Sequence, residues 1–192
     1  MARKRSASAN NKRKASRSRS SSSSSAASKG HAVTPYLTIA GASEAIKFYR
    51  NAFGARELGK TALPDGKILH ARIKIGGSMI MLSDEFPGSP HKSPSSIGTS
   101  TVTLHIHAKN VDKLWQQAIS AGAKVMMPLD NQFWGERYGQ LADPFGHHWS
   151  LSQPVKMSRK EMEEKRSAVM SMFSQGQHLS HAEVTTASAV NQ

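Results

Sequence analysis

Between residues 33 and 153, hydrophobic and polar positions follow two periods in turn, and the order in which they switch recurs. Residues 34–39 (TPYLTI) alternate as a strand. The stretch ASEAIKFYRNAFGA then sets Ile46, Tyr49 and Phe53 along one helical face, with Ser43 as the expected N-cap and Gly54 as the stop. Residues 64–66 (PDG) read as a turn, and KILHARIKIGG and SMIMLSD as two strands around Gly76-Gly77. After a loop rich in Ser, Pro and Gly (residues 86–99) the sequence starts again. STVTLHIHA reads as a strand, and NVDKLWQQAISAGA as a helix capped by Asn110 and stopped at Gly122. KVMMP, RYGQLAD and HHWSLSQ read as three further strands.

The recurrence is an internal duplication. A shift of 68 lays Gly54-Ala55 on Gly122-Ala123 and Ile46 on Leu114, and a shift of 69 lays Gly77 on Gly146 and Leu82-Ser83 on Leu151-Ser152. Two tandem βαβββ units, about 33–86 and 99–153, are expected. The fold class is α+β, with curved antiparallel sheets around a cleft and one helix covering each sheet. Alternation sends Leu37, Ile39, Ile80, Leu82, Val102, Leu104, Ile106, Trp149 and Leu151 toward the helices. It sends Tyr36, Met79, Met81, Thr101, Thr103, His105, His148 and Ser150 the other way. That mixture of hydroxyls, imidazoles and thioethers suits a ligand cavity better than a dry core.

Charge alters the picture only at one end. The chain of 192 residues has a formal charge of +13, but nine of its 26 Lys and Arg lie in residues 1–30, which contain no acid; 17 bases against 13 acids leave the body at +4. Those first residues, rich in Ser and Arg, have almost nothing large enough to bury, so a disordered basic tail is expected. It could solubilise the chain or make a weak contact with nucleic acid or another polyanion, without aromatics to stack on bases. The globular domain is expected over 31–154. A C-terminal helix and frayed tail should occupy 155–192, the helix opened by a capping box from Ser158 to Glu161 and packed on the domain or a partner subunit through Met162, Val169, Met170 and Phe173. The absence of cysteine excludes disulfides, thiolate metal sites and thiol nucleophiles. No apolar run has the length of a membrane span and no secretory signal is evident, so a cytoplasmic protein without membrane contacts is expected.

The motifs AIKFYRNAFGA, PDGKILHARIKIGGSMIMLSDE, VDKLWQQAISAGAKVMMP, DNQFWGERYG and DPFGHHWSL together resemble the glyoxalase and bleomycin-resistance (vicinal oxygen chelate) superfamily, in its PhnB-like branch, over about residues 33–153. The resemblance implies a two-fold homodimer and a cleft that hosts lyases, isomerases, dioxygenases or drug-sequestering proteins. It also maps the family's metal ligands onto Thr34, Met81, Thr103 and Ser150. None is a His, Asp or Glu, so no metal and no cofactor are expected. A centre of a different kind, built from His70, His105 and His148, remains as an alternative, as does acid–base chemistry by these imidazoles or Tyr36. His147 should point toward the helix.

The loop and strand QFWGERYG add Trp134, Arg137 and Tyr138, a set able to hold a planar or anionic ligand by stacking and a forked hydrogen bond. In the competing reading Arg137 is a structural tie to Glu136 or Asp143. No nucleophile elbow, phosphate loop or dinucleotide fingerprint is present. The expected ligand-binding residues are Tyr36, His70, Met81, Thr103, His105, Trp134, Arg137, Tyr138, His148 and Ser150. The catalytic residues, if the protein is an enzyme, stay unassigned.

Overall fold

The computed structural model describes residues 33–174; the basic tail (1–30) and, apart from Ser174, the frayed end (174–192) expected from the sequence lie outside the described residues. The first unit runs β1 (Tyr36–Ile39), α1 (Ala42–Phe53), β2 (Arg56–Ala62), β3 (Ile68–Ile75) and β4 (Ser78–Asp84). A short helix, α2 (Pro94–Ile97), precedes the second unit: β5 (Thr103–His107), α3 (Val111–Ser120), β6 (Lys124–Asn131), β7 (Glu136–Ala142) and β8 (His148–Pro154). Helix α4 (Arg159–Ser174) follows.

Each unit forms a four-stranded sheet, in the orders β1-β4-β3-β2 and β5-β8-β7-β6. The sheets are mixed rather than antiparallel throughout, because β1 pairs with β4, and β5 with β8, in parallel. The helix carries the chain back across the sheet so that β2 starts in the direction of β1. Two antiparallel hairpins then return that direction at β4.

The helix of the first unit is capped from elsewhere in the sheet. It begins at Ala42, with Gly41 at φ 95 as N-cap, and Ser43 makes no cap. The Asp84 carboxylate at the end of β4 accepts hydrogen bonds from the N–H of Gly41 at 3.0 Å, of Ala42 at 2.9 Å and of Ile68 at 2.6 Å. Three orphan donors are thereby satisfied by one buried carboxylate. In the second unit the expected Asn110 cap forms, its side chain accepting from the N–H of Lys113.

The helix-covered sides of both sheets share one core. Leu37, Ile39, Ile80 and Leu82 enter it from the first sheet, and Leu141, Trp149 and Leu151 from the second. The ring of Phe53 on α1 lies 4.5 Å from that of Trp149 on β8, and Tyr49 5.4 Å from the same indole. Helix α1 thus packs on the opposite unit as well as its own. Val102, expected in this core, precedes β5 and is 62% exposed, since the strand begins one residue later. Leu69 is likewise exposed, where a register irregularity at the end of β2 displaces the alternation.

Helix α4 opens with the expected capping box: the Glu161 carboxylate accepts from the N–H of Ser158, and the Ser158 hydroxyl from the N–H of Glu161. Lys165 reaches Asp130 at 3.6 Å. None of its side chains is buried, and Met170 and Phe173 are exposed.

Candidate functional site

Opposite the shared core, each sheet has a face that no helix covers. Strand alternation decides what stands on it. On the second sheet the register sets His107, Ser152 and Tyr138 in one row, His105, Ser150, Gln140 and Met127 in the next, and Thr103, His148 and Ala142 in a third. Among the described residues, no hydrogen bond, ion pair or ring contact joins this face to its counterpart on the first sheet.

The second face carries a continuous polar network. His105 Nδ1 lies 2.7 Å from the Ser150 hydroxyl and its Nε2 3.1 Å from that of Ser152; Ser152 in turn lies 3.0 Å from His107 Nδ1. Both serines are buried, so each hydroxyl depends on these imidazoles for partners. Partial burial, helped by neighbouring His107, lowers the pKa of His105 below its ordinary value. A neutral ring donates through one nitrogen and accepts through the other, which two flanking hydroxyls can match. His107 also faces Glu136 at 3.9 Å, and Tyr138 stacks on His105 with ring centroids 6.0 Å apart. Trp134, in the turn before β7, donates to Glu136 Oε2 at 3.2 Å and meets Tyr138 edge to face.

The first sheet's face is built differently. Tyr36, Met81, Arg72 and Gly59 form one row, and Met79, Lys74 and Arg56 belong to its neighbour. The Tyr36 hydroxyl lies 3.3 Å from His70 Nδ1. Beside this face a depression of about 390 Å³ is lined by Tyr36, Thr38, Ser83, Asp84, Phe86, Ser89 and His91. Its loop wall is fixed by Glu85, whose carboxylate accepts from the Ser93 N–H and the Ser96 hydroxyl and pairs with Lys92; these contacts hold its pKa at about 2.

Of the residues singled out from the sequence, His105, Tyr138, Trp134 and Ser150 therefore come together on the second sheet, with Thr103 and His148 further along it. Tyr36, His70 and Met81 share the first. Arg137 belongs to neither face. It follows Glu136 and precedes Tyr138 on a strand, so it points to the helix side, where its guanidinium makes a forked pair with Asp112 of α3 at 2.7 to 3.1 Å. The structural tie weighed for it exists, with a different partner. His107, Ser152, Glu136 and Gln140 were missed by the sequence reading, although stepping by two from His105, Ser150 and Tyr138 reaches all four.

A metal fits poorly here. Thr34, Met81, Thr103 and Ser150 offer hydroxyls and a thioether, and the Ser150 hydroxyl is already bound to His105. His70 stands on a different sheet from His105 and His148, so those three imidazoles do not converge. Among the described residues no group of three or more His, Asp or Glu is placed to hold an ion.

The stretch DPFGHHWSL instead joins the two units. Asp143 is buried and accepts from the Tyr49 hydroxyl at 2.8 Å, the Trp149 indole at 3.0 Å, and the N–H groups of Phe145 and His147 at 2.9 Å each. Burial, with the Asp143 charge beside it, raises the Tyr49 pKa well above its ordinary value. His147 is buried on the helix side as expected. Its burial outweighs Asp143 and a hydrogen bond with the Thr38 backbone, and lowers its pKa.

Comparison with known proteins agrees with this architecture. The family model described as Glyoxalase/Bleomycin resistance protein/Dioxygenase superfamily matches residues 30–151. Uncharacterized protein Rv0887c of Mycobacterium tuberculosis (strain H37Rv) is 48% identical over 128 residues, covering 65% of this chain and 75% of that protein. Protein YjdN of Escherichia coli K12 is 30% identical over 141 residues, covering 62% and 93%. A solved PhnB protein from Bacillus cereus superposes with a TM-score of 0.53 at 19% identity, covering 64% of this chain and 99% of that one, a likeness of fold. Among the described residues, no helix is long and apolar enough to cross a membrane.

Proposed function

The chain belongs to the Glyoxalase/Bleomycin resistance protein/Dioxygenase superfamily, and on that premise we propose that it is a metal-free, PhnB-like protein that binds a small planar or anionic molecule at the open faces of its sheets and acts as a homodimer. The observation that carries this reading is the wall on the second sheet. Buried hydroxyls orient His105, and the rings of Tyr138 and Trp134 extend the surface beside it. Such a wall offers rings for stacking and fixed polar groups for orientation, the combination that small-molecule sites use. A second copy is the natural cover, because the open faces do not meet within one chain and a two-fold axis would set the first sheet of each protomer against the second sheet of its partner.

Tryptophan emission gives the test. Trp115 and Trp149 are buried, whereas Trp134 is 44% exposed. Titration with cationic, neutral and anionic planar compounds should quench the emission for at least one class, and Trp134→Phe should remove the effect. Light scattering should return a mass near twice 20.8 kDa. Absence of quenching across the whole panel, or a monomer at high micromolar concentration, contradicts the reading.

One observation favours an enzyme of lyase, isomerase or dioxygenase type instead. The Ser152 hydroxyl bridges His105 and His107, and Glu136 stands at the end of the chain, an order suited to proton transfer. Turnover of a bound compound that is lost in His107→Gln, with binding retained, would select that alternative.

A further inference from the structure

Among the described residues, the open face of the first sheet is cationic without compensation. Arg56 stands directly opposite Lys74 in the β2–β3 register, and Arg72 lies two residues from Lys74 on the same face. Like charges placed directly opposite on a sheet are destabilising. Among the described residues these three cations make no ion pair, while Lys60 on the same hairpin is paired with Glu57. The neighbouring positions on this face are Thr38, Thr61, Met79, Met81 and Ser83, and none is a carboxylate. The row Tyr36–Met81–Arg72 ends on Gly59. A Cβ added there would lie 3.7 Å from the Arg72 guanidinium, which extends over that glycine.

We infer that this face binds an aromatic carboxylate. The inference rests on the small-molecule reading above and names the class of ligand. The ring system would lie on Tyr36 and Met81, at the edge of the depression lined by Thr38, Ser83 and Phe86, since a phenol and a thioether both make favourable contacts with a planar ring. The carboxylate would take the fork of Arg72. Lys74 and Arg56 supply further positive potential. Adjacent strands are about 4.8 Å apart, so the two steps from Met81 to Gly59, over which the Arg72 guanidinium lies, span roughly 10 Å, the reach of a two-ring acid seated on Met81. An anion at this point also relieves the repulsion between Arg56 and Lys74.

The test uses full-length protein and two probes of the same shape, 2-naphthoate and its uncharged analogue 2-naphthamide, titrated by calorimetry at physiological salt. The naphthoate should bind at least tenfold more tightly than the amide. Arg72→Gln/Lys74→Gln should abolish that difference while leaving the weak amide binding unchanged, and should melt no lower than the parent because two uncompensated charges are gone. If the double variant fails to fold, Arg72→Lys keeps the charge, loses the fork, and should give an intermediate preference. Equal binding of the two probes overturns the anion assignment while leaving the small-molecule reading intact. A naphthoate preference that survives both variants overturns it as well, by placing the anion elsewhere. Binding of neither probe also overturns it, and the fluorescence panel then decides separately whether the faces bind planar compounds at all.

Discussion

The middle row of the first sheet's open face reads Tyr36, Met81, Arg72, Gly59, and that of the second reads His105, Ser150, Gln140, Met127. The topology is the same and the chemistry differs. The second row is neutral and bonded to itself, with His105 held by two hydroxyls. The first offers an arginine with no acid beside it. The connecting turns have diverged in parallel. Gly76-Gly77 closes β3–β4 and a Cβ at either glycine would meet nothing, whereas the corresponding turn between β7 and β8 carries Asp143, which ties both units together. One unit carries the joint between the two halves, and the other carries charges that nothing among the described residues neutralises.

The largest effect should come from Asp143→Ala. It leaves four buried or half-buried donors without an acceptor, and should cost about 3 to 5 kcal/mol in urea unfolding. Gly77→Ala in the matching turn should change stability by less than about 0.5 kcal/mol. Similar losses in the two turns would erase the contrast between the units.

Next comes the strand position that faces each helix. Ala71 in β3 and Gly139 in β7 are equivalent, paired with Leu82 and Leu151. A Cβ at Gly139 would stand 2.7 Å from the Trp115 ring and 2.9 Å from the Leu129 backbone. Gly139→Ala should therefore destabilise by about 1 to 3 kcal/mol through overpacking, although the first unit has alanine at that place. An unchanged midpoint would mean that Trp115 moves aside freely.

The pH response should reside at the joint as well. His147 is held below its ordinary value near 6.5 by burial, so the unfolded chain takes up its proton first as pH falls. Stability present above about pH 6.5 should decline below it. In His147→Gln that part of the decline should be absent; an identical pH profile would show that His147 does not contribute to it.

The smallest effect is expected at Arg137. Arg137→Lys keeps the charge and loses the fork to a largely exposed Asp112, a change of up to about 1 kcal/mol. Affinity for planar compounds should stay the same, because this side chain faces α3. A selective loss of affinity would return Arg137 to the binding face.

The duplication, both helices and most of the core were legible because period and spacing are local properties of a sequence. The faces of Leu37, Ile39, Leu82, Trp149 and Leu151 followed from alternation alone. The parallel β1–β4 pairing was not legible from periodicity, which is the same in parallel and antiparallel strands. The Asp84 cap and the Arg137–Asp112 pair join residues 42 and 25 positions apart, and nothing in their local sequence marks them. Arg137 was grouped with Tyr138 by its loop setting, although neighbours on a strand cannot share a face. In the site, Tyr36, His105 and Tyr138 were recognisable as large polar groups on the uncovered side. Arg72 and Lys74 carry no local signal, because a lysine or arginine on a strand is ordinarily solvated. Their lack of acidic partners emerges only once the register is known.

The most direct test of where a ligand sits follows the methionine methyls by NMR during titration with 2-naphthoate, each signal assigned by substitution. Met79 and Met81 stand on the open face of the first sheet, and Met162 and Met170 on α4. The signals of Met79 and Met81 should shift with the probe, Met81 the more strongly, while those of Met162 and Met170 stay in place. Shifts confined to α4, or none at Met79 and Met81 when the calorimeter registers binding, would contradict a ligand seat on the uncovered face of the first sheet.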